Sequence, residues 1–113
     1  MEDPAKDNRR RWSRFSMEMR VELYAGQREP KVYGRAVDLS EGGISVLTVD
    51  ELKIGEQLTI AFTIPQTNQP FRFESVVRTK EGYKYGLEFL NVRQADRKEL
   101  ADFGRIMQLL GSE

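Results

Sequence analysis

Between Met17 and Phe89 apolar side chains return at every second position in one run after another, the period of β-strands with one buried face. Met17, Met19, Val21 and Leu23 point one way, while Glu18, Arg20 and Glu22 point the other. Leu58, Ile60, Phe62 and Ile64 repeat the pattern, as do Phe71, Phe73, Ser75 and Val77 against Arg72, Glu74, Val76 and Arg78. Tyr83, Tyr85, Leu87 and Phe89 then alternate with Lys84, Gly86 and Glu88. Two further strands lie between the first two runs: Val32–Val37, weakened by Gly34, and the β-branched stretch Ile44–Val49.

Turn chemistry separates the runs. Ala25-Gly26-Gln27 with Pro30, the segment Asp38–Gly43, Leu52-Lys53-Ile54-Gly55, Pro65 with the polar Gln66–Pro70, and Lys80-Glu81-Gly82 each interrupt a strand. These links are too short for parallel crossovers, which need about a dozen residues, so an antiparallel barrel or sandwich is expected. After Phe89 the period changes: Leu100, Phe103, Ile106, Met107 and Leu110 share one stripe of a helix, with Gly111 as its stop. That helix is expected over about residues 94–110, covering a barrel opening or edge.

With 113 residues, 39% of them hydrophobic and 32% charged, the chain suits one folded domain. Residues 1–8 are expected to form a flexible tail and residues 9–113 the domain, its strands within 16–90. Lys plus Arg and Asp plus Glu both number 18, and so balanced a chain is a poor nucleic-acid binder. The absence of cysteine and histidine removes disulfides, thiolate metal sites and the commonest general base at neutral pH. Carboxylates abound, but none is marked by a partner suited to acid–base or metal chemistry, so no enzyme and no cofactor are expected. The polar start Met1–Asn8 lacks the apolar stretch of a secretory leader, and no run of about 20 apolar residues occurs, so a cytoplasmic address without membrane insertion is expected.

Two motifs carry chemistry. Four arginines lie between Arg9 and Arg14, with Arg10 and Arg14 spaced as Arg-x-x-x-Arg. A guanidinium fork matches guanine O6 and N7 or a phosphate, and its plane stacks on a purine. The same cluster also reads as a solvated basic terminus or a set of surface ion pairs. The second motif, Asp38-x-Ser40-x-x-Gly43, reads as a self-capping turn with glycine at positive φ. It also reads as an anion-binding nest of backbone N–H groups beside a carboxylate able to accept from guanine. Trp12 reads as an anchor packing the N-terminal segment on the barrel, or as a ligand contact.

Arg10-Arg11-Trp12-Ser13-Arg14, Asp38-Leu39-Ser40-Glu41-Gly42-Gly43-Ile44 and the strand Tyr85-Gly86-Leu87-Glu88-Phe89 together resemble the PilZ domain, a receptor module for the bacterial second messenger cyclic di-GMP. The resemblance implies a stand-alone six-stranded antiparallel β-barrel with a C-terminal helix, and a ligand held on the barrel's outside under the N-terminal segment. It also implies that Arg10 and Arg14 bind guanine edges and phosphates, Asp38 reads a guanine, Ser40 hydrogen-bonds the ligand and Gly43 lets the backbone approach. In the family the residue before the first motif arginine influences whether one or two ligands bind. Here it is Arg9, which favours an intercalated dimer. Arg78 stands roughly where some relatives carry a ligand-stacking tryptophan, and its guanidinium plane can substitute by cation–π contact.

The implied function is a cyclic di-GMP receptor that changes conformation on binding and regulates an unidentified protein partner in motility, biofilm or exopolysaccharide pathways. The alternative is an adaptor of the same fold that binds no nucleotide, as in type IV pilus-like assembly.

Overall fold

A computed structural model describes residues 15–25, 32–64 and 67–111 of the chain. Among them the alternating runs form β1 (Phe15–Tyr24), β2 (Val32–Leu39), β3 (Gly43–Leu47), β4 (Gln57–Ile64), β5 (Gln69–Glu81) and β6 (Lys84–Leu90), followed by the helix α1 (Gln94–Gly111). The strands pair antiparallel in the order β1-β2-β3-β6-β5-β4, and a β1–β4 ladder from Val21↔Phe62 to Tyr24↔Thr59 closes the ring. The alternation therefore resolves as a barrel, not a sandwich, with one face of each strand lining the interior.

The inward set is the one its period predicts. Val21, Leu23, Ala36, Leu39, Val46, Ile60 and Val77 have essentially no exposure, and the rings of Phe62, Phe71, Phe73 and Phe89 pack together, Phe73 and Phe89 with centroids 4.6 Å apart. Polar groups in the core are satisfied, because an unpaired buried polar group costs far more than a bond returns. The Ser75 hydroxyl donates to the Leu58 carbonyl at 2.7 Å. The Tyr85 hydroxyl accepts from the Leu52 N–H at 3.1 Å and donates to the Asp50 carbonyl at 3.3 Å, tying the β3–β4 loop to the barrel.

Helix α1 packs where β1 begins. Phe103 meets Phe15 edge-to-face, with centroids 5.5 Å apart and planes at 72°. Leu100 and Phe103 are buried and Met107 is half-buried against the core, the spacing of a narrow helical stripe. Ile106, expected on that stripe, falls at its margin and stays half exposed. Among the described residues no helix is long and apolar enough to cross a membrane.

Besides register shifts between Ser16 and Met19 in β1 and between Ala36 and Asp38 in β2, four local features of the described residues depart from the sequence reading. Asp38 does not begin the break after β2, because the strand runs on to Leu39 and Asp38 is paired on both sides, with Ser16 and with Ser45. Val49 lies beyond the end of β3 and is almost fully exposed. Tyr83 was expected to face inward, but it occupies the β5–β6 turn and is exposed. The longer β5 shifts this turn to Gly82-Tyr83, with Gly82 at a φ of 64° that suits glycine. In β5 a register shift between Val77 and Thr79 makes Arg78 the extra residue of a β-bulge, and it ends the period-two pattern there.

Candidate functional site

Chain reversal between β2 and β3 is held by Ser40. Its backbone N–H donates to the Gly43 carbonyl at 2.9 Å. Its hydroxyl oxygen accepts from the N–H groups of Gly42 at 3.1 Å and Gly43 at 3.2 Å, and the hydroxyl reaches back to the Gly43 carbonyl at 3.4 Å. Two donors that an anion nest would offer are thus directed to Ser40, and the turn-capping reading is the one this geometry realises. The Phe89 N–H donates to the Gly42 carbonyl at 2.9 Å, and Arg97 of α1 donates to the Glu41 carbonyl at 3.4 Å. Both β6 and the helix brace the bend.

Gly43 is dictated by packing. It pairs with Glu88 on β6, and a Cβ at this position would drive into the Leu87 carbonyl oxygen. Gly43 is not among the residues with positive φ, so close approach of two strands, and not turn conformation, demands glycine here.

Asp38 opens a row that crosses the outside of the barrel. Ladder partners run Ser16↔Asp38, Asp38↔Ser45, Ser45↔Gly86 and Gly86↔Thr79, over β1, β2, β3, β6 and β5. Ile44 and Val46 on either side of Ser45, and Tyr85 and Leu87 on either side of Gly86, are core residues, so this row faces away from the core. With strands about 4.8 Å apart, Asp38 and Thr79 stand about 14 Å apart along the sheet. Between them lie Ser45, which is itself buried, and Gly86, where the Thr79 hydroxyl fills the space a Cβ would take.

Arg78 lies at the far side of that row. Its Nε–H donates to Glu88 Oε1 at 2.6 Å, and both side chains are more than half or about half exposed. Farther along β5, Lys80 bonds Glu51 Oε2 at 3.1 Å and lies over the Tyr85 ring at 5.7 Å. Its ammonium is held above the usual lysine range chiefly by the hydrogen bond to Glu51.

Of the seven residues singled out from the sequence, Asp38, Ser40, Gly43 and Arg78 are described, and they lie on or around the β2–β3–β6–β5 outer face. Arg9, Arg10 and Arg14, together with Trp12 and the expected tail 1–8, lie outside the described residues. What is described is the point where that segment joins the barrel: Phe15 pairs with Leu39 and Ser16 with Asp38. Ser45, Gly86 and Glu88 complete the face without having been singled out. Their signal was the alternation itself, which had already turned Gly86 and Glu88 outward.

A larger cleft of about 730 Å³ lies elsewhere, lined by Arg20, Glu22, Ala61 and Arg72 on the β1–β4–β5 side and by Arg93 and Asp96 at the start of α1. None of the residues singled out from the sequence lines it. Among the described residues no group of three or more His, Cys, Asp or Glu could hold a metal ion.

The sequence matches the family model of the PilZ domain over residues 8–103. No curated protein matches the chain significantly. Solved structures do. The Bacillus subtilis inhibitor of motility MotI/DgrA superposes with a TM-score of 0.73 at 25% identity, over 91% of this chain and 52% of that one. The PilZ domain of Escherichia coli YcgR, solved with c-di-GMP, gives 0.72 at 20% identity, over 90% of this chain and 93% of that one. The K. pneumonia MrkH–c-di-GMP complex gives 0.69 at 15% identity, over 92% and 54%. This chain therefore spans about half the length of MotI and MrkH.

Proposed function

This chain belongs to the PilZ domain family, and from that premise we propose that it is a receptor for cyclic di-GMP, bound on the outer β2–β3–β6–β5 face and clasped by the arginine segment 9–14. One observation carries the reading. Ladder pairs Phe15↔Leu39 and Ser16↔Asp38 set the residues just after the arginine cluster beside the Asp38–Gly43 bend. Covalent geometry then keeps the Arg14 Cα about 3.8 Å from that of Phe15, and Arg10 within roughly 17 Å of it. This supports the reading that the arginines and the Asp38 carboxylate, 24 positions apart in sequence between Arg14 and Asp38, serve one ligand.

In this reading Arg10 and Arg14 take guanine edges and phosphates, with Arg9 favouring an intercalated ligand pair. Asp38 accepts from a guanine, and the Arg78 guanidinium contributes a stacking plane. Ser40 and Gly43 act by fixing the bend. Drawing residues 9–14 onto the barrel alters the surface offered to a partner protein, in a motility, biofilm or exopolysaccharide pathway of the cytoplasm. Receptor and adaptor roles, not catalysis, belong to this family.

A second reading is a nucleotide-free adaptor, favoured by the Ser40 bend, whose hydrogen bonds close without any ligand. Calorimetric titration with cyclic di-GMP, with GTP and cyclic di-AMP as controls, decides between them. Saturable binding of cyclic di-GMP alone supports the receptor, and no heat from any of the three leaves the adaptor.

A further inference from the structure

Glu88 touches both halves of the described face. In register it stands opposite Gly43 on β3 and Val76 on β5, and its carboxylate accepts from Arg78 Nε at 2.6 Å. Arg78 is the extra residue of the β5 bulge, so strand alternation does not aim its side chain. A long arginine side chain at such a position has several rotamers open to it, and a single contact decides among them. With the two side chains 58% and 50% exposed, the pair adds little to the stability of the barrel.

Bonding through Nε has a geometric consequence. The Nε–H lies in the guanidinium plane, so one short bond to a carboxylate on a neighbouring strand sets the direction of the side chain and confines the plane to orientations that contain the Nε–H···Oε1 axis. It occupies one of five donors and, lying in the plane, does not itself cover either face. Gly86, two residues from Glu88 on the outer face of β6, carries no side chain, and the Thr79 hydroxyl of β5 takes up the space a Cβ would fill.

Resting on the cyclic di-GMP reading, we infer that Glu88 is a positioning residue for the ligand: it holds the Arg78 guanidinium in a preset orientation on the outer face of β5 and β6. Its effect on affinity runs through Arg78. A carboxylate that merely faced an anionic ligand would act in the opposite sense, since its removal would tighten binding.

Titration of the full chain with cyclic di-GMP tests this in five forms: wild type, Glu88→Ala, Glu88→Gln, Arg78→Ala and the double variant Arg78→Ala/Glu88→Ala. Glu88→Ala is expected to weaken binding about fivefold with an unchanged thermal midpoint. Glu88→Gln, whose amide oxygen still accepts from Nε–H, stays within about twofold of wild type. In the Arg78→Ala background the Glu88 change has no further effect. If the wild type binds while Glu88→Ala binds equally well or more tightly, or loses the same factor with and without Arg78, the inference is overturned and the receptor reading stands. A wild type that takes up no cyclic di-GMP overturns both.

Discussion

Gly43 of β3 lies so close to Leu87 of β6 that a methyl group on its Cα would strike the Leu87 carbonyl oxygen. Backbone cannot yield as a side chain does, and Ser45↔Gly86 and Ile44↔Leu87 in the same ladder depend on the same approach. Gly43→Ala is therefore expected to destabilise the barrel by about 3 kcal/mol, at the upper end of overpacking costs. Urea unfolding measures it. A change below about 0.5 kcal/mol, within the range of ordinary surface substitutions, would return the glycine to a purely ligand-facing role.

Ser40 and Asp38 stand two residues apart and are expected to fail differently. Removing the Ser40 hydroxyl leaves the Gly42 and Gly43 N–H groups without their acceptor at a position only 7% exposed, a loss of about 1–3 kcal/mol in Ser40→Ala. Ser40→Thr keeps the acceptor and most of the stability. Asp38→Ala, on the outer face, is expected to alter stability by less than about 1 kcal/mol while weakening cyclic di-GMP at least tenfold, about 1.4 kcal/mol. Paired unfolding and titration curves separate the two, and equal stability losses would refute the division of roles.

Gly104 of α1 faces the Phe15 ring, where an added Cβ would sit 2.8 Å from Cε1. Leucine is the better helix former by roughly 0.8–1 kcal/mol, but here its side chain would have to displace the ring that anchors the helix to β1. Overpacking of about 1–3 kcal/mol outweighs the propensity gain, so Gly104→Leu is expected to lower stability. In a Phe15→Ala background the obstacle is gone and the same substitution should become neutral or stabilising. Thermal melts of the four proteins of that cycle check the sign change.

Six strands and a helix were legible because a two-residue period with turn residues between the runs has few other readings, and the motifs then selected a barrel. What escaped was set by contacts across the sheet. Arg78 obeys the alternation in sequence, yet a bulge makes it the unpaired residue. Tyr83 extends the apolar series of β6, yet the length of β5 leaves it in the turn. Ser40 was legible as a turn cap or a ligand contact, and its hydrogen bonds do close the turn, whereas Gly43, read as a turn glycine at positive φ or a point of ligand approach, is required by the close β3–β6 contact. Gly86 and Glu88 were turned outward by the same period and stood in the strand motif that carries the family resemblance, but a lone glycine or glutamate shows no role at a site until its neighbours on adjacent strands are known.

Arg9, Arg10 and Arg14 carry the prediction on which the receptor reading depends most. Fixing the six residues 9–14 costs about 6–12 kcal/mol of backbone entropy. A hydrogen bond to a charged group returns about 1.5–3 kcal/mol, so roughly two to eight such bonds, about four at mid-range, must form together to offset that cost. No arginine is then dispensable: Arg10→Ala and Arg14→Ala are each expected to weaken cyclic di-GMP at least tenfold in a protein whose melting is unchanged. Unaltered affinity in either variant would remove that residue from the site. Arg9 is expected to act on the count of ligands, since an extra guanidinium fork beside the first motif arginine can hold the second molecule of an intercalated pair. Wild type should take up two ligands per chain and Arg9→Leu one, as read from the stoichiometry of the same titrations. A single ligand bound by wild type would dismiss the dimer.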